Sequence, residues 1–462
     1  MLFRINNSPP GHRSRSRFAH GALSAAVATL VASMPAPAQA VARDSTDPPR
    51  SAALVTLGQL LDSVRTHHPL VEAGRARIRA ARGARTTAGT LGNPILAYQV
   101  DNIHLSGAME PWMDREAMAT ATIPLEPLYQ RGARVRRADA DVRAAEADAD
   151  VTTLELSLDA AHTYYRTALA QVGADATRDI AAWLDTVVAY NRTRVKEGVA
   201  AEADLLRSQL ERDRAAADAT MQEADLVRAR ASLAAFLGDP RSGVLPAIHS
   251  IRVAIEDAPL AMPVASAGLT LASRPRVRAA RERETAAVAR VATERSMLVR
   301  QLGATIGTTA SAGSMSLVAG VSLPFPLFDQ NRGEIARATG ERDAATFELA
   351  AAERTARAEL TGAYEAARLL TERTTALTAR GAGGSPAYLA RADEARRIAL
   401  GAYREGAVPL LSVIDAARAW NEARLAYYRT LFAQHESVLA LLAAQGVDLT
   451  TAAPRVSSGG GR

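Results

Sequence analysis

The sequence predicts a mainly α protein with a small membrane β-barrel portion, built as two copies of one plan. Three observations in the 462 residues predict it. The first is a repeat at an offset of about 208 residues: Glu197-Gly198 answers Glu405-Gly406, Leu205-Leu206 answers Val413-Ile414, and Gly238 answers Gly446. The second is an unbroken helical pattern over 131–197, which as an α-helix would be roughly 100 Å long. Such a helix cannot wrap a compact domain; it suits a coiled coil or an elongated tube. The third is a set of four short segments, about 95–101, 117–123, 302–309 and 317–323, in which apolar residues alternate with small or polar ones. That alternation is the pattern of a transmembrane barrel strand, although any half-buried soluble sheet shares it.

Composition narrows the class. The chain has no cysteine, which excludes a disulfide framework, thiolate metal sites, a cysteine nucleophile and a lipid-modified cysteine. Aromatics are only 4%, and alanine, arginine and leucine dominate, as in long helices packed close together. The net charge of +6 suggests nucleic acid, but its distribution argues against that partner. Residues 1–40 hold Arg4, Arg13, Arg15 and Arg17 and no acid, leaving 51 basic against 49 acidic residues beyond them.

The first 40 residues read as a secretory signal peptide. A basic segment precedes the apolar run Gly21 to Met34, and Ala38-Gln39-Ala40 forms an A-x-A cleavage site. No later run approaches the roughly 20 apolar residues of a spanning helix, so an exported chain that enters a membrane must do so as a barrel.

A flexible segment, 41–55, precedes the first repeat, 56–240. Thr56 and Gln59 have capping-box spacing at the start of a short helix reaching about Arg65. Pro69 opens a second helix to about Thr90, since proline is tolerated in a first turn. Gly92-Asn93-Pro94 breaks it, the first pair of strands follows, and the long helix runs from about 131 to Gly198. Another helix then reaches Gly238. An inter-repeat linker, 241–263, leads to the second repeat, 264–446: helix 275–300, the second pair of strands, helix 333–405, Gly406, and a helix to Gly446. The stretch 381–386 (GAGGSP) should kink or interrupt the second long helix. The tail 447–462 reads as disordered. After Gly406, positions 414, 421, 425, 428, 432, 435, 439 and 442 form a heptad-like seam with two polar members, Asn421 and His435. Four strands cannot close a barrel, so the barrel must be shared between chains.

Nothing in the sequence points to an enzyme: no G-x-S-x-G, P-loop, Rossmann glycine pattern or H-E-x-x-H is present. No cofactor and no metal site is expected. His67-His68 reads as a helix junction, His435 as a seam residue, and Asp101, His104, Met109, Met113 and Asp114 as an extracellular loop without ligand spacing.

The doubled order of helix, hairpin, long helix, glycine and helix behind a signal peptide resembles the TolC-like outer-membrane efflux channels. The stretches that carry the resemblance are Leu57 to Pro69, Leu91-Gly92-Asn93-Pro94, Gly132-Ala133-Arg134, EGVAAEADLLRSQL at 197–210, LAAFLGDP at 233–240 and EGAVPLLSVIDAARAW at 405–420. The run VSLPFPLFDQNRGEIARA at 321–338 is the most specific, and is similar to the heavy-metal branch of that family, the outer-membrane parts of cobalt–zinc–cadmium and copper–silver pumps.

The resemblance implies a homotrimer in which four strands per chain give a twelve-stranded barrel above a helical tunnel through the periplasm. It implies a passive conduit in the outer membrane lipid, working with a periplasmic adaptor and an inner-membrane transporter of the RND type. Gly198 and Gly406 would be the periplasmic tips that meet the adaptor, flanked by Val199 and Ala407. Asp204 and Tyr403 match residues that hold the entrance closed, while the arginine of that latch is replaced here by Val408. Asp415 matches one of two lumen aspartate rings, and Ser412 stands at the other. Three Asp415 carboxylates would attract cations. The competing reading, a periplasmic coiled-coil adaptor or scaffold without a barrel, predicts export and long helices but not four symmetrically placed alternating strands.

Overall fold

The computed structural model describes residues 54–103, 115–238, 244–263, 271–300, 302–311, 313–381 and 384–449. The signal peptide, the loop residues His104, Met109, Met113 and Asp114, and most of the tail lie outside them. In order, the elements are β1 (Leu54–Val55), α1 (Leu57–His67), α2 (Pro69–Ala88), β2 (Ile95–Asp101), β3 (Glu116–Pro124), α3 (Pro127–Lys196), α4 (Glu202–Leu237), β4 (Arg252–Val253), α5 (Pro275–Ser296), β5 (Gly303–Ser311), β6 (Ser314–Ser322), α6 (Arg332–Thr378), α7 (Ala387–Arg404) and α8 (Leu410–Gln445). Among the described residues, no helix is long and apolar enough to cross a membrane.

Local chemistry sets the helix boundaries. Thr56 accepts from the Gln59 N–H while Gln59 Oε1 accepts from the Thr56 N–H at 3.0 Å, the reciprocal capping box that starts α1. His68 ends α1 and caps α2, its Nδ1 accepting from the Leu70 N–H at 3.3 Å. The histidine pair is therefore a helix junction. The long helix begins at Pro127, four residues before the expected start, because a proline in the first turn presets φ for a helix. At 70 residues it is about 105 Å long. Its counterpart is broken: α6 stops at Thr378, Gly384 takes φ +77°, and Arg380 and Pro386 form an isolated bridge before α7.

The four-stranded sheet has the order β2-β3-β5-β6, antiparallel throughout, so the two repeats meet at the β3–β5 pair. The second hairpin is tighter than the sequence suggests. Ser311 pairs with Ser314 across a turn in which Gly313 has φ +82°, so serines and threonines that look like loop are strand. The register gives two distinct faces. Leu96, Tyr98, Ala119, Ala121, Ile306, Thr308, Leu317 and Ala319 stand opposite one another on an apolar face. Gln99, Met118, Thr120, Thr122, Thr305, Gly307, Thr309 and Ser316 share the other face. Gly307 is needed there, because a Cβ would lie 2.2 Å from the Ala119 carbonyl oxygen.

The main core lies where α1, α3, α4 and α8 meet, around Leu60, Leu61, Tyr165, Leu233, Leu431 and Leu439. The inter-repeat segment is fastened onto this core. Gln434 brackets Leu260, accepting from its N–H at 3.0 Å and donating to its carbonyl at 2.7 Å. Tyr164 Oη donates to the Ala254 carbonyl at 2.6 Å, and His435 Nε2 contacts the Ala258 carbonyl at 2.9 Å. Since a carbonyl only accepts, His435 carries its proton on Nε2. Two expected mobile ends also join the fold. Leu54–Val55 pairs in parallel with Arg252–Val253, and Leu449 is buried in the core, because both ends find main-chain or apolar partners there.

Gly238 and Gly446 are matched in sequence but not in conformation. Gly446 takes φ +79° and closes α8, whereas Gly238 is extended at φ −73°. A Cβ at Gly238 would lie 2.9 Å from Leu245 Cδ2, so packing room is its constraint.

Candidate functional site

The two helix-to-helix turns are built alike. Gly198 has φ +73° and Gly406 φ +77°, the left-handed region that a glycine enters without strain. At the first turn the Val199 N–H reaches the Arg194 carbonyl at 2.9 Å and the Gly198 N–H reaches that of Val195 at 3.0 Å. At the second, Ala407 bonds Ala402 at 2.8 Å and Gly406 bonds Tyr403 at 3.0 Å. Both pairs form the Schellman motif that satisfies the last carbonyls of a helix. They leave Val199 and Ala407 as exposed side chains at the extreme ends of their hairpins.

Just inside these turns lies a compact polar and aromatic cluster. Tyr403 is buried among Val187, Leu410, Val413 and Ile414, and its hydroxyl donates to Asn191 Oδ1 at 2.6 Å. Burial, and secondarily the negative charge of Asp204, push the Tyr403 hydroxyl pKa up, so it remains a donor. The Arg194 guanidinium lies 5.6 Å from the Tyr190 ring centre and 5.7 Å from that of Tyr403. Tyr190 Oη in turn donates to the Arg404 carbonyl at 3.3 Å. The cluster thus fastens α7 to α3.

The expected gate residues are distributed unevenly around it. Tyr403 is central, but its bonded partner is Asn191. Asp204 is half-buried in the first turn of α4 and close enough to influence Tyr403. Val408 packs against the apolar residues of the cluster, and the guanidinium comes from Arg194 on the other hairpin. Asp415 lies on the exposed side of α8, its side chain 60% accessible, with Arg418 4.0 Å away. Higher up, Arg396 sits 5.6 Å from the Trp183 ring centre and 4.6 Å from that of Trp420, a second clasp between α3, α7 and α8.

Asn191 had a signal in the sequence. Leu184, Val187, Val188 and Asn191 recur at i, i+3, i+4 and i+7, so a polar residue sits in line on a buried stripe. A buried amide in that position needs a partner. Among the described residues, no group of His, Cys, Asp and Glu could hold a metal ion.

A two-faced sheet joined to one helix about 105 Å long and another of about 70 Å suits the wall of a membrane channel. The family is shown by sequence: the outer membrane efflux protein model matches residues 60–239 and 267–447, and the chain belongs to that family. That membership places the chain in the outer membrane. Among curated proteins it is similar to the nickel and cobalt resistance protein CnrC of Cupriavidus metallidurans, 29% identical over 292 residues. That match spans 60% of this chain and 65% of the relative's length, under two thirds of it. Among solved structures the chain resembles CusC, with a TM-score of 0.68 at 16% identity, covering 85% of this chain and 92% of that one. It also resembles the Campylobacter jejuni CmeC outer membrane channel, with a TM-score of 0.69 at 14% identity, covering 84% and 85%.

Proposed function

We propose that the chain assembles as a homotrimer and serves as the passive outer-membrane conduit of a tripartite pump that expels divalent metal cations. The observation that carries this reading is the sheet, with one apolar and one polar face and with the outer edges of β2 and β6 unpaired among the described residues. Pairing β6 of one copy with β2 of the next satisfies these edges and gives twelve strands around a polar lumen. The likeness to the nickel and cobalt resistance protein supports a metal cargo. The partners are then a periplasmic adaptor, met by Gly198, Val199, Gly406 and Ala407, and an RND-type transporter in the inner membrane. Asp204 and Tyr403 belong to the periplasmic gate, with Asn191 and Arg194 as their supports. Asp415 lines the entrance and favours cations.

Fractionation tests the assembly: a heat-modifiable trimer in the outer membrane is expected, and release by osmotic shock overturns it. In a strain carrying the cognate pump and adaptor, Gly198→Pro or Gly406→Pro should leave the trimer assembled and lower nickel or cobalt tolerance. A proline cannot take positive φ, so the tips deform. Unchanged tolerance and unchanged adaptor crosslinking in both variants would remove the docking assignment. Conductance in planar bilayers tests Asp415: Asp415→Ala should reduce cation preference, and an unchanged preference excludes Asp415 from the lumen.

A further inference from the structure

The two repeats treat one matched position differently. His68 and Arg274 each precede the proline that opens a helix, Pro69 of α2 and Pro275 of α5. His68 caps α2 through Nδ1 and stacks on Phe236 with ring centres 5.8 Å apart, and Glu72 follows in the first turn. At the start of α5 no side chain caps the helix, and the first turn holds no acid. The positive end of that helix dipole is left without a counter-charge of its own.

Arg274 adds a second positive group at the same place. It is 9% exposed, and it is the one arginine that is buried among the described residues. An exposed arginine needs no partner, because water solvates it; a buried one does. Its Nη1 donates to the Ala356 carbonyl on α6, and no carboxylate pairs with it among the described residues. Burial lowers its pKa, with Glu359 acting secondarily in the other direction. Glu359 is itself held by Arg276 at 3.0 Å, and Arg276 also holds Glu155 at 2.9 Å.

Both positive features line one cleft. It has a volume of about 770 Å³, is open to solvent, and lies between α3, the start of α5, α6 and α8. Leu154, Leu158, Ala356, Ala363, Ala440 and Ala443 give it an apolar lining, completed by Arg274, Pro275 and Arg276. Its size is that of small-molecule sites, and alanines leave the space that larger side chains would fill.

We infer that this cleft binds a carboxylate carried on an apolar body, such as a medium-chain fatty acid. The edge of the Arg274 guanidinium that Ala356 does not engage pairs with the carboxylate, and the open end of α5 stabilises the same charge. The apolar body lies along the leucines and alanines. Such a ligand touches four helices and braces the junction where Gly446, closing α8, comes up against Arg274 and Pro275. The inference is independent of what the channel transports.

Isothermal titration calorimetry of the purified full-length oligomer in amphipol, with sodium octanoate as the probe, tests it. Octanoate should bind saturably at one site per chain, and octanol and acetate should each bind at least about tenfold more weakly. No saturable octanoate binding, or equal binding of octanoate and octanol, overturns the inference. Arg274→Gln should erase the preference for octanoate over octanol, and a preference that survives overturns it too. Ala440 is an exposed lining residue, so Ala440→Phe fills the cleft without touching the core. That variant should lose octanoate binding, and it decides alone if Arg274→Gln does not assemble; unchanged binding places the ligand elsewhere and overturns the assignment. Saturating octanoate should also raise the melting temperature of the wild type but not that of Ala440→Phe, and an equal rise in both overturns the site.

Discussion

Helices α4 and α8 occupy the same place in the two repeats, follow equivalent glycine turns and are both 36 residues long, yet they bury different amounts of themselves. α8 buries thirteen residues, among them Tyr427, Leu431, Phe432 and His435, because it packs against α3, α6 and α7 of its own chain. α4 buries four and rests mainly on α3. Its Leu206, Leu210 and Met221 lie on one stripe and are exposed, Leu210 at 69%. A duplicated unit has thus been divided: one helix belongs to the chain's own core, and the other carries an apolar stripe that a neighbouring copy can cover. Exposed apolar stripes of this kind on a single chain mark interaction surfaces.

The largest expected effect tests the packed side of this contrast. Leu431→Ala removes a fully buried side chain from the main core and should cost about 2–5 kcal/mol, whereas Leu210→Ala should change the stability of the isolated chain by well under about 1 kcal/mol. Denaturant unfolding of detergent-solubilised monomer measures both, and equal losses would erase the distinction between the helices. The open side is tested by Leu206→Asp/Leu210→Asp. Two carboxylates on a covered stripe would be desolvated without partners, so the oligomer should dissociate on a gel run without heating while the monomer keeps its helix content. An oligomer that survives places the interface elsewhere.

Much of this arrangement was legible in the sequence. The duplicated order, the capping box at Thr56, both tip glycines and all four strands follow from short-range rules of spacing and backbone freedom. The partners at the tip were not legible in the same way. Tyr403 was placed by its distance from Gly406, but its bond to Asn191 joins residues 212 apart, and no local pattern pairs them. Val408 suggested a latch without a guanidinium, while Arg194 brings one from the other hairpin. The arrest of the second long helix was expected from GAGGSP. Gly238 and Gly446 both end their helices, as their register implies, but register does not reveal whether a glycine is needed for its φ or for its lack of a side chain.

A smaller effect belongs to the buried tyrosine–asparagine bond. Tyr403→Phe leaves Asn191 fully buried without its hydroxyl partner, at a cost of about 1–3 kcal/mol. Tyr403→Phe/Asn191→Leu removes both polar groups together and should recover most of that loss. Unfolding of the single and double variants measures the coupling, and additive effects would show that the bond contributes nothing. Conductance then separates gating from packing: if the bond restrains α7, both variants should open more often, including the double variant whose stability is restored.

The smallest effect concerns the fastening of the inter-repeat segment to α8, and it depends on pH. His435 is fully buried, and its Nε2–H donates to the Ala258 carbonyl. Burial lowers its pKa below the ordinary 6.5, so below about pH 6.5 the unfolded chain takes up a proton that the folded chain refuses. The contribution of neutral His435 is therefore fully present above that pH and is lost as pH falls through the folded value, by at most about 1.4 kcal/mol per pH unit. The adjacent Glu436 works in the opposite sense. Burial raises its pKa despite His162 at 3.2 Å, so acidification relieves the cost of holding it charged in the folded state. His435→Gln keeps an N–H that can reach Ala258 and removes the titration. The wild type should lose thermal stability between pH 7 and about pH 5.5 relative to His435→Gln, while Glu436→Gln should steepen that loss by removing the opposing term. Parallel melting curves for wild type and His435→Gln across this range would mean that the histidine accepts its proton without leaving the core, and that the linker is held by Gln434 and Tyr164 instead.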